Sequence, residues 1–181
     1  GMVDNGVKVL VITTELTTRG WIEQMESIGY GMTNAISEGR VMVLSRYGTV
    51  ADARQDVTLQ EVLSSPAIPA ADVIVLDSAS SLMPEGGTKA DHHTLIQQLR
   101  KIASDGRSFM LCADPEEMDH TLLHTLRASA EVVLDLDNAM IGGEIKRNII
   151  ITRFLRAAGP IQTSLSLIHI SEPTRLPPSA Y

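Results

Sequence analysis

Apolar residues in this chain gather in short continuous runs, and each run gives way to polar or turn residues. Val9-Leu10-Val11-Ile12 stops at Thr13-Thr14-Glu15, and Val73-Ile74-Val75-Leu76 stops at Asp77-Ser78. Val41-Met42-Val43-Leu44 precedes a loop opened by Arg46-Tyr47-Gly48, and Phe109-Met110-Leu111-Cys112 lies just before Asp114-Pro115. Each run predicts a strand; the one ending at Glu15 is expected to be buried, and the one ending at Asp77 to be buried on both faces of a parallel sheet. Between them the apolar positions fall at helical spacing: Trp21, Ile22, Met25 and Ile28; Leu59, Val62 and Leu63; Leu95, Ile96, Leu99, Ile102 and Ala103; Met118, Leu122, Leu123 and Leu126.

End signals sharpen these elements. Thr17 or Thr18 is placed to cap the first helix, and Gly29 and Gly31 to end it. Thr58 with Glu61, and Thr88 with Asp91, have the form of capping boxes. Pro66 and Pro69 break the second helix before the central strand, and Gly106 closes the third. Asp114-Pro115-Glu116-Glu117 predicts a helix start with Asp114 as N-cap and the two glutamates on the helix dipole. A strand over 130–136, a Gly142-Gly143 turn and a long strand over 145–155 close the pattern. Alternating strands and helices predict an α/β domain with a mostly parallel sheet flanked by helices. The closing hairpin is expected to extend that sheet in antiparallel fashion.

Composition excludes several classes. The 181 residues, 44% of them apolar, can build a core and are too hydrophobic for a disordered chain. Aromatics are 3%, and 22 acidic residues outweigh 15 basic ones for a net charge of −7. Neither a stacking platform nor a basic stripe for nucleic acid is present in that composition. The single cysteine, Cys112, cannot form an internal disulfide, a pattern expected of an intracellular protein. Lying in an apolar run without a basic neighbour in sequence, it is read as core packing. No apolar stretch reaches the length of a membrane-spanning helix.

Candidate chemistry centres on the strand over 73–77. A carboxylate at the C-terminal end of a buried parallel strand stands at the edge where open α/β sheets bind ligands. There Asp77 could hold the water shell of a phosphate-bound magnesium ion, or it could simply cap the following turn. Other clusters are weaker. His120 and His124 have zinc-compatible spacing but no further ligand, so they read as exposed helix residues. His92 and His93 face different sides of one helix. The serines at 78–81 lack a G-x-S-x-G elbow.

With the motifs in place, several stretches together resemble one family. Ile12-Thr13-Thr14-Glu15-Leu16-Thr17-Thr18 and Gln24-Met25-Glu26-Ser27-Ile28-Gly29 are similar to the segment after the P-loop helix in archaellum accessory ATPases of the FlaH type, members of the RecA/KaiC-like ATPases. Val73-Ile74-Val75-Leu76-Asp77-Ser78 looks like their Walker B strand. Leu126-Arg127-Ala128-Ser129-Ala130-Glu131-Val132, Ile141-Gly142-Gly143-Glu144 and Arg153-Phe154-Leu155-Arg156-Ala157 are similar to their C-terminal half. The resemblance implies a RecA-like fold that binds ATP and Mg2+, with Asp77 contacting the ion directly or through water. It implies Glu15 as the group that polarises the attacking water, Ser78 as a γ-phosphate contact, and Arg153 or Arg156 as a finger toward a neighbouring subunit. For Arg153, pairing with Asp135 or Asp137 is an equally open reading. The implied partners are the archaellum motor ATPase and membrane platform proteins, with a possible homo-oligomeric ring, no nucleic acid, and a cytoplasmic location against the membrane. Other readings are a KaiC-type signalling or recombination ATPase, and a non-enzymatic α/β interaction domain.

Two departures set the expected limits. No Gly-Lys-Ser or Gly-Lys-Thr occurs, so the P-loop is missing, and the family's Lys-Arg-Phe is Thr152-Arg153-Phe154 here. Residues 165–175 are similar to a translated transposase sequencing adapter. Residues 1–164 are therefore expected to be a partial ATPase core cut at both ends, with 165–181 a non-native tail and no nucleotide bound by the piece itself.

Overall fold

A computed structural model describes residues 1–47, 58–83, 87–141, 144–155 and 164–166. The chain divides into two compact units, Gly1–Leu126 and Arg127–Tyr181.

The first unit is built on four parallel strands, β1 (Val9–Thr13), β2 (Val41–Ser45), β3 (Val73–Asp77) and β4 (Ser108–Leu111). Their order is β2-β1-β3-β4, so the two most apolar runs occupy the centre. Successive side chains alternate between the faces. Leu10, Ile12, Ile74 and Leu76 point to one side, where they meet Leu59 and Leu63 of α3 (Leu59–Leu63), Leu95 of α4 (Lys89–Ser104), and Met118 and Leu122. The last of these belongs to α5 (His120–Ser129). Val11 and Val41 point to the other side, against Trp21 of α1 (Thr18–Ser27) and Ala35 of α2 (Thr33–Ser37). Helices on both faces are what continuous apolar strands require.

The end signals mostly act as their chemistry dictates. Thr17, not Thr18, caps α1 by accepting from the Gly20 N–H, and both capping boxes form. Gly29 and Gly106 take the left-handed φ values of 89° and 86° that end their helices. Two expectations fail, and one helix gives no sequence signal. Ile28 is 59% exposed, because α1 ends one residue before it. The short helix α2 has too few apolar positions to be seen as a period. Asp114 does not start α5: it accepts from the Glu116 N–H within a turn, while Asp119 accepts from Leu122 N–H at the true start. Glu116 and Glu117 therefore lie before the helix rather than in its first turn. Pro115 and the paired glutamates satisfy a one-turn motif as well as a helix, and burial of Met118 sets the register.

His92 is 6% exposed on α4, and neither ring nitrogen has a hydrogen-bond partner among the described residues. His93 lies on the exposed side and bonds Gln97. A buried polar group without a partner opposes folding, so His92→Leu is expected to raise the urea midpoint, by about 1 kcal/mol in stability. A lower midpoint would mean that the imidazole has a partner.

The second unit is an antiparallel sheet in the order β5-β6-β7, from β5 (Val132–Ile141), β6 (Glu144–Phe154) and β7 (Ser164–Ser166). These strands do not join the parallel sheet as an antiparallel extension; among the described residues they form a sheet of their own. The register slips between Val133 and Leu134, a bulge that sets Val133 opposite Arg153 and Leu134 opposite Ile151. Ser164, Leu165 and Ser166 pair with Ile150, Ile149 and Asn148. At the head of the unit Arg127 grips Asp135 with both terminal nitrogens, at 2.6 and 2.8 Å, and touches Thr152. The fork-shaped hydrogen bonds from Arg127 hold the Asp135 carboxyl below its usual range, against a smaller opposing effect of burial.

A carboxyl depressed in the folded state stabilises above its unfolded pKa, and that contribution is lost as pH falls through the folded value. Arg127→Gln is therefore expected to lower stability at neutral pH, with the difference closing as pH drops below about 4. Urea melts of the two proteins at several pH values check this; a constant gap would contradict it.

Candidate functional site

The C-terminal edge of the parallel sheet gathers the site. Register alignment sets Thr13 opposite Asp77, so β1 and β3 end side by side and deliver Glu15 and Asp77 to one edge. Glu15 is exposed and Asp77 half-buried. The Thr14 N–H donates to the Asp77 carbonyl at 2.8 Å. The Thr14 hydroxyl accepts from the Ser78 N–H at 2.9 Å and donates to the Ser78 carbonyl at 3.1 Å. The Asp77-Ser78 peptide bond is cis.

From the β4 side, Cys112 completes the frame. Its N–H donates to the Leu76 carbonyl at 2.9 Å, and its carbonyl accepts from the Ala79 N–H at 2.7 Å. Burial pushes the thiol up, and the Asp77 carboxylate beside it, with a smaller push from Glu15, acts the same way. Cys112 is thus no core-packing residue: it is half-buried at the strand end with the Asp77 carboxylate beside it. Parallel register decides this, because Leu76 pairs with Leu111 and the next residue on each strand is Asp77 or Cys112.

Ser78 is buried, and its hydroxyl accepts from the Ser80 N–H at 3.2 Å. The Ser80 hydroxyl in turn accepts from the Asp114 N–H at 2.7 Å. Arg46 reaches the same edge from β2, its N–H donating to the Thr13 carbonyl and its guanidinium to the Ser81 carbonyl. Arg153 belongs to the second unit, half-buried opposite Val133, and its Nε has no hydrogen-bond partner among the described residues. Asp135 is taken by Arg127 and not by Arg153. Arg156 lies outside the described residues.

Magnesium suits hard oxygen donors and keeps most of its waters, commonly taking one or two carboxylates and substrate phosphates. The donors at this edge, Asp77, Glu15 and the Ser78 hydroxyl, are oxygens, and burial with the Asp77 carboxylate favours the neutral Cys112 thiol. Among the described residues no three His, Cys, Asp or Glu side chains form a ready cage. The donor set fits an ion brought in with a ligand.

Thr14 and Cys112 are the participants that sequence reasoning missed. Their signal was position: each follows or closes a buried run at the sheet edge that carries Asp77.

The parallel sheet with helices on both faces shares its fold with solved FlaH and KaiC-like structures. A crystal structure of flagellar accessory protein FlaH from Methanocaldococcus jannaschii superposes with a TM-score of 0.78 at 24% identity, over 91% of this chain and 73% of that one. A KaiC-like protein from Pyrococcus horikoshii gives 0.65 at 19% identity, over 90% and 73%. In sequence, the chain is similar to the archaeal flagellar ATP-binding protein FlaH of M. jannaschii, 25% identical over 166 residues covering 91% of this chain and 71% of that protein. FlaH of Methanococcus voltae is 25% identical over 161 residues, 88% and 70% of the two chains. No family model matches. The chain is thus FlaH-like in both sequence and fold.

Proposed function

We propose that this chain carries the metal- and water-handling half of the ATP site of an archaellum accessory protein. The observation that carries the reading is the pair of carboxylates, Glu15 and Asp77, delivered to one sheet edge by adjacent parallel strands. The FlaH relatives are named ATP-binding, and phosphoryl transfer needs charge neutralisation and an oriented water. In this reading bound Mg2+ supplies electrostatic stabilisation of the phosphates. Asp77 holds the ion's water shell, Glu15 accepts a hydrogen bond from the attacking water, and Ser78 faces the γ-phosphate. Arg153 or Arg156 serves a neighbouring copy in a ring.

The partners in this reading are the archaellum motor ATPase and its membrane platform, which keep the protein at the cytoplasmic membrane face. Among the described residues no helix is long and apolar enough to cross a membrane. ATP acts as an assembly ligand that favours one conformation by differential binding. The sequence relatives named FlaH favour the motility role over a signalling one.

The same reading takes residues 1–164 as a partial core and 165–181 as a non-native tail. It is supported by β4, whose Phe109-Met110-Leu111 run suits a strand covered on both faces. Met110 is nonetheless 56% exposed, and β4 pairs with β3 alone among the described residues. Recovering the flanking DNA tests the proposal. An in-frame Gly-Lys-Ser or Gly-Lys-Thr upstream of Gly1 supports it. A natural start at Met2 with no P-loop would remove the phosphate partner of Asp77 and favour a non-enzymatic interaction domain.

A further inference from the structure

We propose that Thr14 is the positioning residue of this site: its hydroxyl straps the end of β1 to the Asp77–Ser78 segment and so sets where Glu15 and Asp77 present their carboxylates. The inference deepens the nucleotide-site reading above and rests on it for its functional meaning.

Several contacts at this edge are between backbone groups, which any residue can make. Cys112 holds the Leu76 carbonyl and the Ala79 N–H through its own peptide groups. Thr14 is different. Its side chain both accepts from the Ser78 N–H and donates to the Ser78 carbonyl, and the residue is 3% exposed. Glu15 is the next residue along on one side of the strap, and Asp77 immediately precedes Ser78 on the other. A displacement of either strand end changes the spacing of the two carboxylates, and small misplacements at a reacting centre carry large losses. Valine matches threonine in shape but leaves the Ser78 N–H without its acceptor, whereas serine keeps the hydroxyl.

The test compares Thr14→Val and Thr14→Ser with the unaltered chain by two measurements, neither needing nucleotide. Amide hydrogen exchange at Ser78, taken relative to the Ile74 and Leu76 amides so that global stability cancels, is expected to quicken about tenfold in Thr14→Val and to stay near the original in Thr14→Ser. The 13C NMR shifts of the Asp77 and Glu15 carboxyls are expected to move in Thr14→Val and to return in Thr14→Ser. Unchanged relative exchange in Thr14→Val overturns the strap whatever the carboxyl shifts do. Lost protection with unmoved carboxyl shifts overturns the positioning role. Lost protection that serine does not restore overturns the part played by the hydroxyl.

Discussion

Leu76→Ala is expected to remove about 3 kcal/mol from the stability of the first unit. Leu76 is 0% exposed in the central strand, in register between Ile12 of β1 and Leu111 of β4. Truncating a fully buried leucine removes its transfer free energy and leaves a cavity that strands on both sides cannot close, about 3 kcal/mol in comparable sites. A small domain holds only about 5–15 kcal/mol in total, and this one has an edge strand with Met110 exposed. Urea melts followed by Trp21 fluorescence measure the effect, since that indole is buried against Val11 in the same unit. Leu136→Ala, at a side chain 78% exposed, is the control and is expected to stay within about 0.5 kcal/mol. A Leu76→Ala protein as stable as the parent would mean that the β1-β3-β4 core does not form as described.

The 181-residue chain is expected to bind ATP no more tightly than about 1 mM, an affinity worth roughly 4 kcal/mol. Triphosphate recognition rests on a glycine-rich loop whose N–H groups and lysine cradle the phosphates, and the sequence contains no such motif. What the sheet edge offers instead is Glu15 and Asp77, which repel a polyanion until a cation intervenes. Extension to include an in-frame P-loop is expected to tighten binding by about a hundredfold or more, each tenfold step corresponding to about 1.4 kcal/mol. Titration of a fluorescent ATP analogue with and without Mg2+ checks both proteins. Tight, Mg2+-dependent binding by the 181-residue chain would sink the expectation and demand a phosphate site elsewhere in these residues.

Much of the architecture was legible beforehand because its signals are local. A continuous apolar run can satisfy itself only between two covered faces, and a Thr-x-x-Glu or Thr-x-x-Asp places its own hydrogen bonds. β1, β3, the capping boxes and the side chains of α3 and α4 follow from such rules. Asp77 was legible as a strand-end carboxylate for the same reason. The failures share a cause in competing local solutions. Asp114-Pro115-Glu116 serves a turn as readily as a helix start, and only the burial of Met118 and Leu122 decides that Asp119 is the cap. The hairpin was recognised, but its separation from the parallel sheet depends on which strands find partners.

The sequence by itself determined the kind of protein: an α/β chain with parallel core strands, an acidic sheet edge and no phosphate-cradling loop. Those properties are written in hydrophobic periodicity and in the presence or absence of short motifs. Strand order and register belong to the tertiary structure. They alone bring the end of β1, which leads to Glu15, alongside Asp77 across 62 residues of chain (a separation of about that size costs only slowly growing loop-closure entropy). They also turn Cys112 from a core residue into a neighbour of the Asp77 carboxylate, and Thr14 into a strap between the strand ends. Pairing between distant strands is decided by side-chain packing over the whole sheet, and no local stretch of residues encodes it.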